Sequence, residues 1–236
     1  MKFPLTARLT AEFMGTAFLV AAVVGSGVMG ERLSAGNTAI ALLANTIATG
    51  AALVALICTF GSISGAHFNP AVTLADAMEG GIPWTESGLY VLVQIAGGIA
   101  GAVTAHLMFS LPAVSISLHP RHGSALILSE FIATFGLLSV IWGCARMRSS
   151  LVPFAVAAYI IAAYWFTSST SFANPAVTIA RSLSDTFSGI QPADVPLVVA
   201  QLAGAAAATL LFRWLIPNLY SMQKAESAAR LDTREV

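Results

Sequence analysis

Twice in this chain an asparagine is followed by proline, alanine, valine and threonine: N-P-A-V-T-L-A-D opens at Asn69, and N-P-A-V-T-I-A-R-S-L opens at Asn174. These residue types carry a definite chemistry. An asparagine side chain accepts from the free N–H groups at a helix start, and a proline at the next position is already set to helical φ. The asparagine amide is then left as a pair of N–H donors held at that helix start, suited to meet the oxygen of a neutral molecule. Asn69, Pro70, Ala71, Asn174, Pro175 and Ala176 therefore form the first candidate site. Nothing comparable points to bond-making. The apolar segments hold His106 and scattered serines and threonines without a convergent nucleophile and base. Cys58 and Cys144 lie in apolar runs, where packing is their role, with no metal-ligand spacing. The chain is read as no enzyme, with no metal site.

Composition sets the elements that must hold these asparagines. Of 236 residues, 57% are hydrophobic and 9% charged, against about 25% charged in a soluble domain. Such a chain belongs in a bilayer, where about 20 apolar residues cross the hydrocarbon as one helix. Six segments of this kind are predicted, at residues 9–29, 38–60, 85–109, 125–145, 151–170 and 194–216. The fold class is all-α and membrane-integral: one channel-like bundle over residues 1–216, with halves at about 8–110 and 125–216, and a tail at 217–236. The first segment is too long for a secretory signal and lacks a small-residue cleavage site, so it is read as a span. Zero net charge gives no electrostatic ground for binding nucleic acid. Eight lysines and arginines fall on the side of the termini and three on the other, which puts both termini in the cytoplasm.

The linkers carrying the repeated phrase, after spans two and five, are too apolar for water and too short beyond the proline to cross. Each is predicted to be a half-helix of about ten residues, roughly 15 Å long, that enters the membrane and stops midway. Other echoes relate the two halves: Glu12 in A-E-F-M-G-T answers Glu130 in S-E-F-I-A-T, and Gln94 in V-Q-I-A-G-G answers Gln201 in A-Q-L-A-G-A. With three spans per half, the second half inserts upside down relative to the first. The half-helices then meet near the midplane with Asn69 facing Asn174. Two helix starts, each worth about half a positive charge, oppose cations there. Non-helical backbone at that depth is tolerated only where protein or water satisfies it. A pore is expected at the centre, with carbonyls of Ser64 to His67 and of Thr170 to Ala173 as acceptors along it. Gly97, Gly101, Gly204 and Ala208 are read as close-packing positions of spans three and six.

With six spans, inverted halves and two N-P-A motifs in re-entrant linkers, residues 8–216 resemble the aquaporin and aquaglyceroporin family. The resemblance implies a homotetramer in the lipid bilayer, one pore per subunit, passive conduction of small neutral solutes, and no cofactor. It also implies that Glu12 and Glu130 accept hydrogen bonds from the re-entrant loops; capping or snorkelling near a helix end is the other role open to them. His67, in S-G-A-H-F-N-P, is open to a structural hydrogen-bonded role or to proton sensing.

In the family register, the four filter positions fall twenty residues before the first asparagine, and twelve before, three before and three after the second. Here they are Thr49, Ala162, Ser171 and Val177. Counting one residue on from Ser171 reaches Phe172, and Tyr164 and Trp165 lie near Ala162. Water-selective members resemble one another in an aromatic, a histidine and an arginine; glycerol-conducting members have two aromatics and the arginine. This chain has none of these at the counted positions, which implies a wider and less charged filter. Arg181, one turn beyond Val177, is either a charge in the outer vestibule or a snorkelling or loop-capping residue.

The expected function is a passive channel of the inner membrane for small uncharged solutes. Metalloid hydroxides (arsenite, antimonite, and possible methylated arsenicals) and glycerol, with water, are its expected cargo. An ordinary water or glycerol facilitator is the alternative. A gated ion channel would need charged rings or a carbonyl filter that the spans do not supply, and a purely structural membrane protein would show no solute flux.

Overall fold

The computed structural model describes residues 3–216; the predicted tail at 217–236 lies outside them. The described chain forms α1 (Leu5–Leu33), α2 (Thr38–Ser64), α3 (Pro70–Met78), α4 (Trp84–Met108), α5 (Ser124–Met147), α6 (Val152–Phe166), α7 (Pro175–Arg181) and α8 (Val198–Leu215). Short 3-10 segments at Ser149–Leu151 and Pro192–Leu197 lead into α6 and α8. No strand occurs among the described residues. Six helices, counted with these lead-ins, are long and apolar enough to cross a membrane. They coincide with the six predicted spans, except that α6 stops at Phe166, short of residue 170.

The ends of these helices follow from local chemistry. Asn37 caps α2, its Oδ1 accepting from the N–H groups of Ala39 and Ile40 at 3.1 and 3.2 Å. Gly65 ends α2 at φ +93°, a left-handed turn that costs glycine nothing. Prolines open α3 and α7 directly after the two asparagines.

Packing follows the inverted repeat. In the first half α1 lies between α2 and α4, and in the second α5 lies between α6 and α8; α2 against α6 joins the halves. The axes approach closely because glycine removes a side chain at the crossing. A Cβ on Gly101 would stand 2.2 Å from the Ala17 carbonyl oxygen, and one on Gly204 would stand 2.3 Å from that of Phe131. The outside of the bundle carries exposed Leu92, Leu107, Leu128, Phe154 and Trp214. Glu12, Gln94, Glu130, Gln201 and Arg181 are buried inside. Polar groups inside and apolar groups outside is the arrangement lipid requires.

Candidate pore

Each asparagine is fastened twice. Asn69 Oδ1 accepts from Ala71 N–H at 2.9 Å, and Asn174 Oδ1 accepts from Ala176 and Val177 N–H at 3.0 and 3.3 Å. Their amide nitrogens cross the midplane: Asn69 Nδ2 donates to the Ala173 carbonyl and Asn174 Nδ2 to the Phe68 carbonyl, both at 2.8 Å. An amide nitrogen has two hydrogens, so one on each asparagine is left uncommitted among the described residues. The two half-helix starts are thereby hooked to each other's loops, at the depth where their dipole ends converge.

The loops before the asparagines repeat an unusual backbone. Ala66 and Phe68 have φ near +50° in the first loop, and Ser171 and Ala173 do so at the corresponding places in the second. A left-handed conformation costs a non-glycine residue on the order of 1–2 kcal/mol, so both loops need anchors. The anchors are the two span carboxylates. Glu12 accepts from Ser64 Oγ at 2.6 Å, His67 N–H at 3.0 Å, Phe68 N–H at 2.7 Å and Gln94 Nε2 at 2.8 Å. Glu130 accepts from Phe172 and Ala173 N–H, both at 2.9 Å, and from Gln201 Nε2 at 2.6 Å. Each glutamine also donates across to the half-helix threonine, Gln94 to Thr73 and Gln201 to Thr178. Neither carboxylate snorkels, since both are fully buried.

A cavity of about 250 Å3 passes both asparagines, from Trp142 and Asp76 at the α3 end to Tyr164 and Arg181 at the α7 end. Thr49, Ser171 and Val177 line it and are buried. Ala162 does not: it is exposed on the outward side of α6. The reason is helical geometry. Val156, Ile160 and Tyr164 recur one turn apart on the cavity face, and a residue midway between Ile160 and Tyr164 lies about half a turn away from both. Because α6 ends at Phe166, Tyr164 is its last cavity-facing residue, and its hydroxyl lies 3.3 Å from Thr49 Oγ1. Phe172 lines the cavity as well as Ser171.

Arg181 is only 2% exposed, lines the α7 end and therefore does not snorkel. Its guanidinium carbon sits 3.8 Å from the Phe172 ring centroid, and Nε donates to the Ser188 carbonyl. Arg121, from the loop between α4 and α5, approaches the same ring at 5.2 Å and donates to the Gly189 and Ser169 carbonyls at 2.9 and 3.2 Å. Burial pushes the Arg121 guanidinium below its usual range, opposed by the field of Glu130. Two aromatics and an arginine, missing at the counted filter positions, thus stand at this end as Tyr164, Phe172 and Arg181.

The opposite end is built from different groups. His67 Nδ1 lies 3.1 Å from Thr73 Oγ1, its Nε2 lies 3.8 Å from Asp76 Oδ2, and its ring packs against Tyr90. Beyond Asp76, Glu79 at the C-terminus of α3 accepts from Arg146 of α5 and Arg213 of α8. Arg213 also caps the Met78 carbonyl, and Arg146 lies 5.3 Å from the ring centre of Trp142. This cluster was not anticipated from the sequence, where its members are 67 and 134 residues apart. Their signal was charge placed immediately beside apolar runs.

The family model described as Major intrinsic protein matches residues 2–168. The chain is 54% identical over 216 residues to the Aquaglyceroporin AqpS of Rhizobium meliloti (strain 1021), covering 91% of this chain and 92% of that one. It is 34% identical over 216 residues to Aquaporin NIP1-1 of Zea mays, covering 88% and 76%. Among solved structures, the X-ray structure of the aquaglyceroporin from Plasmodium falciparum superposes with a TM-score of 0.70 at 20% identity, covering 89% of this chain and 96% of that one, and so shares the fold.

Proposed function

The chain belongs to the major intrinsic protein family, and on that premise we propose that it passes polyols of glycerol size, the neutral hydroxides of arsenic and antimony, and water across the inner membrane. It is a passive channel for small neutral solutes and not an enzyme. The observation that carries the substrate class is the lining of the α7 end. Phe172 and Val177 give an apolar wall, while Arg181, Ser171 and the Thr49–Tyr164 hydroxyl pair face the same cavity. A polyol, or a compact hydroxide with three O–H groups, has the two kinds of surface that such a lining matches. The likeness to a protein named an aquaglyceroporin supports the polyol part of this reading.

A second reading, an ordinary water or glycerol facilitator with no metalloid role, is favoured by the trio Tyr164, Phe172 and Arg181 itself. It reproduces the aromatic pair and arginine associated with glycerol conduction and returns to the pore the positive charge that Val177 omits. The lysine and arginine distribution supports cytoplasmic termini, with the α7 end facing the periplasm, and the family supports a homotetramer.

A solute panel in vesicles separates the readings. Purified protein in liposomes is expected to speed glycerol, arsenite and antimonite entry over protein-free vesicles, with methylated arsenicals as a further arm. Glycerol and water flux without arsenite or antimonite flux would leave the facilitator reading; no flux of any solute would remove both.

A further inference from the structure

The α7 end of the cavity holds a cation that no acidic side chain among the described residues pairs with. Arg181 carries five N–H donors; Nε is committed to the Ser188 carbonyl and one face of the guanidinium lies on Phe172. The four N–H groups on its two terminal nitrogens have no hydrogen-bond partner among the described residues, and Arg181 makes no ion pair there, although it is 2% exposed. The carboxylate whose field reaches it, Glu130, is already occupied by Phe172 and Ala173 N–H and by Gln201. Arg121, on the same aromatic ring, adds a second positive charge and not a neutralising one. A buried charge without a counter-charge is costly, and a fork of free guanidinium donors is shaped for oxygen pairs.

A second group points to the same ligand independently. Ser171 is 3% exposed and lines this cavity, and its Oγ has no hydrogen-bond partner. The hydroxyls of Thr49 and Tyr164 add polar groups to the same lining, and Val177 adds apolar surface. We propose that the α7 end is a binding site for a small singly charged oxyanion, held by Arg181 and Ser171, and that an anion bound there obstructs the neutral solutes that use the same cavity. The anion is held and not conducted. Past this site one wall is Leu19, Val23, Leu53 and Ile160, the one uncommitted N–H on each of Asn69 and Asn174 is too few donors to replace an ion's water, and Asp76 at the far end repels it.

The flux arm of the test rests on the channel reading; the stability arm does not. Methanesulfonate is the probe, because it stays ionised and pairs three oxygens with one methyl group; gluconate, too large for the site, and chloride are used at equal ionic strength. With 100 mM methanesulfonate on both sides of the vesicles, glycerol permeability is expected to fall roughly threefold or more relative to gluconate, as for a site filling in the tens-of-millimolar range. Chloride is expected to act more weakly than methanesulfonate. Arg181→Gln should abolish the difference, and Ser171→Ala should raise the half-inhibiting concentration about fivefold, about 1 kcal/mol of binding. In detergent, methanesulfonate should raise the unfolding temperature of the wild-type protein above its value in gluconate, and less so for Ser171→Ala. Equal behaviour in all three salts, or inhibition of wild-type strength in the variants, overturns the proposal. If no glycerol flux exists at all the channel reading fails instead, and the anion-specific stabilisation still decides the site; should Arg181→Gln not fold, Ser171→Ala decides it alone.

Discussion

Val177 and Arg181 stand one turn apart on α7 and both line the cavity, so charge and width at this end are set by different residues. Placing a second guanidinium at 177 would narrow the passage without relieving the first. Val177→Arg is expected to cut glycerol and arsenite permeability at least about tenfold, about 1.4 kcal/mol of barrier, and water permeability clearly less; equal loss of every flux in stopped-flow measurements would remove the filter role. Tyr164 should set width. Tyr164→Ala should raise the ratio of erythritol to glycerol flux at least about threefold, some 0.7 kcal/mol, whereas Ala162→Tyr should leave that ratio unchanged because position 162 faces outward. At this scale the asparagines and both glutamates were legible, because motif and neighbours spell their environment. Tyr164 was not, because counting back from Asn174 presumes a fixed loop, while here α6 runs to Phe166 and its cavity face is written in the four-residue recurrence of Val156, Ile160 and Tyr164. Arg181 was visible as a residue, but its burial over Phe172 depends on how the loop around Ser188 folds back to meet it.

The two re-entrant half-helices are short elements, nine and seven residues, and helices of that length do not hold themselves together in isolation. Their loops also carry left-handed alanines, a serine and a phenylalanine. What keeps each in place is one buried glutamate that accepts several N–H bonds at once, so the carboxylate charge has to be matched by donors alone. Glu130→Gln keeps the shape but turns one acceptor oxygen into an NH2 group facing the N–H of Phe172 or Ala173. The expected loss is about 3 kcal/mol or more, read as a lower unfolding temperature in detergent together with loss of glycerol flux. A variant with wild-type stability would mean that the loop does not depend on this carboxylate. The existence of these half-helices was legible from Asn-Pro and the apolar linkers around them. The first has about the expected length, but the second is shorter, because nothing local in V-T-I-A-R-S-L says that the helix gives way at Ser182.

Across the whole molecule the repeat governs architecture but not the charge of the two mouths. Counted from the asparagines, Asp76 corresponds to Arg181 and Glu79 to Ser184; counted from Gln94 and Gln201, His106 corresponds to Arg213. Both mouths keep the same contact, from the end of a long helix to a residue shortly past a half-helix: His106 Nε2 lies 2.8 Å from Ser184 Oγ, and Arg213 donates to Glu79. One is an imidazole–hydroxyl pair beside an arginine, and the other an ionic cluster beside an aspartate. Sequence echoes made the inverted repeat legible, but exchange of chemistry within equivalent contacts leaves no echo to find. The ionic cluster ties α3, from the first half, to α5 and α8 of the second, and its members differ in exposure: the side chains of Glu79 and Arg146 are 5% and 9% exposed, and that of Arg213 is 45% exposed. Glu79→Gln leaves Arg146 buried without its carboxylate and is expected to cost about 3 kcal/mol. Arg213→Gln removes a half-exposed partner and should cost about 1 kcal/mol or less. Unfolding of the two variants in detergent, at low salt and at 1 M salt, checks the distinction: the Glu79→Gln deficit should persist at high salt, because its charges are shielded from screening ions. Equal deficits for the two variants, or a Glu79→Gln deficit that salt abolishes, would show that the cluster acts as a surface ion pair and does not fasten the halves together.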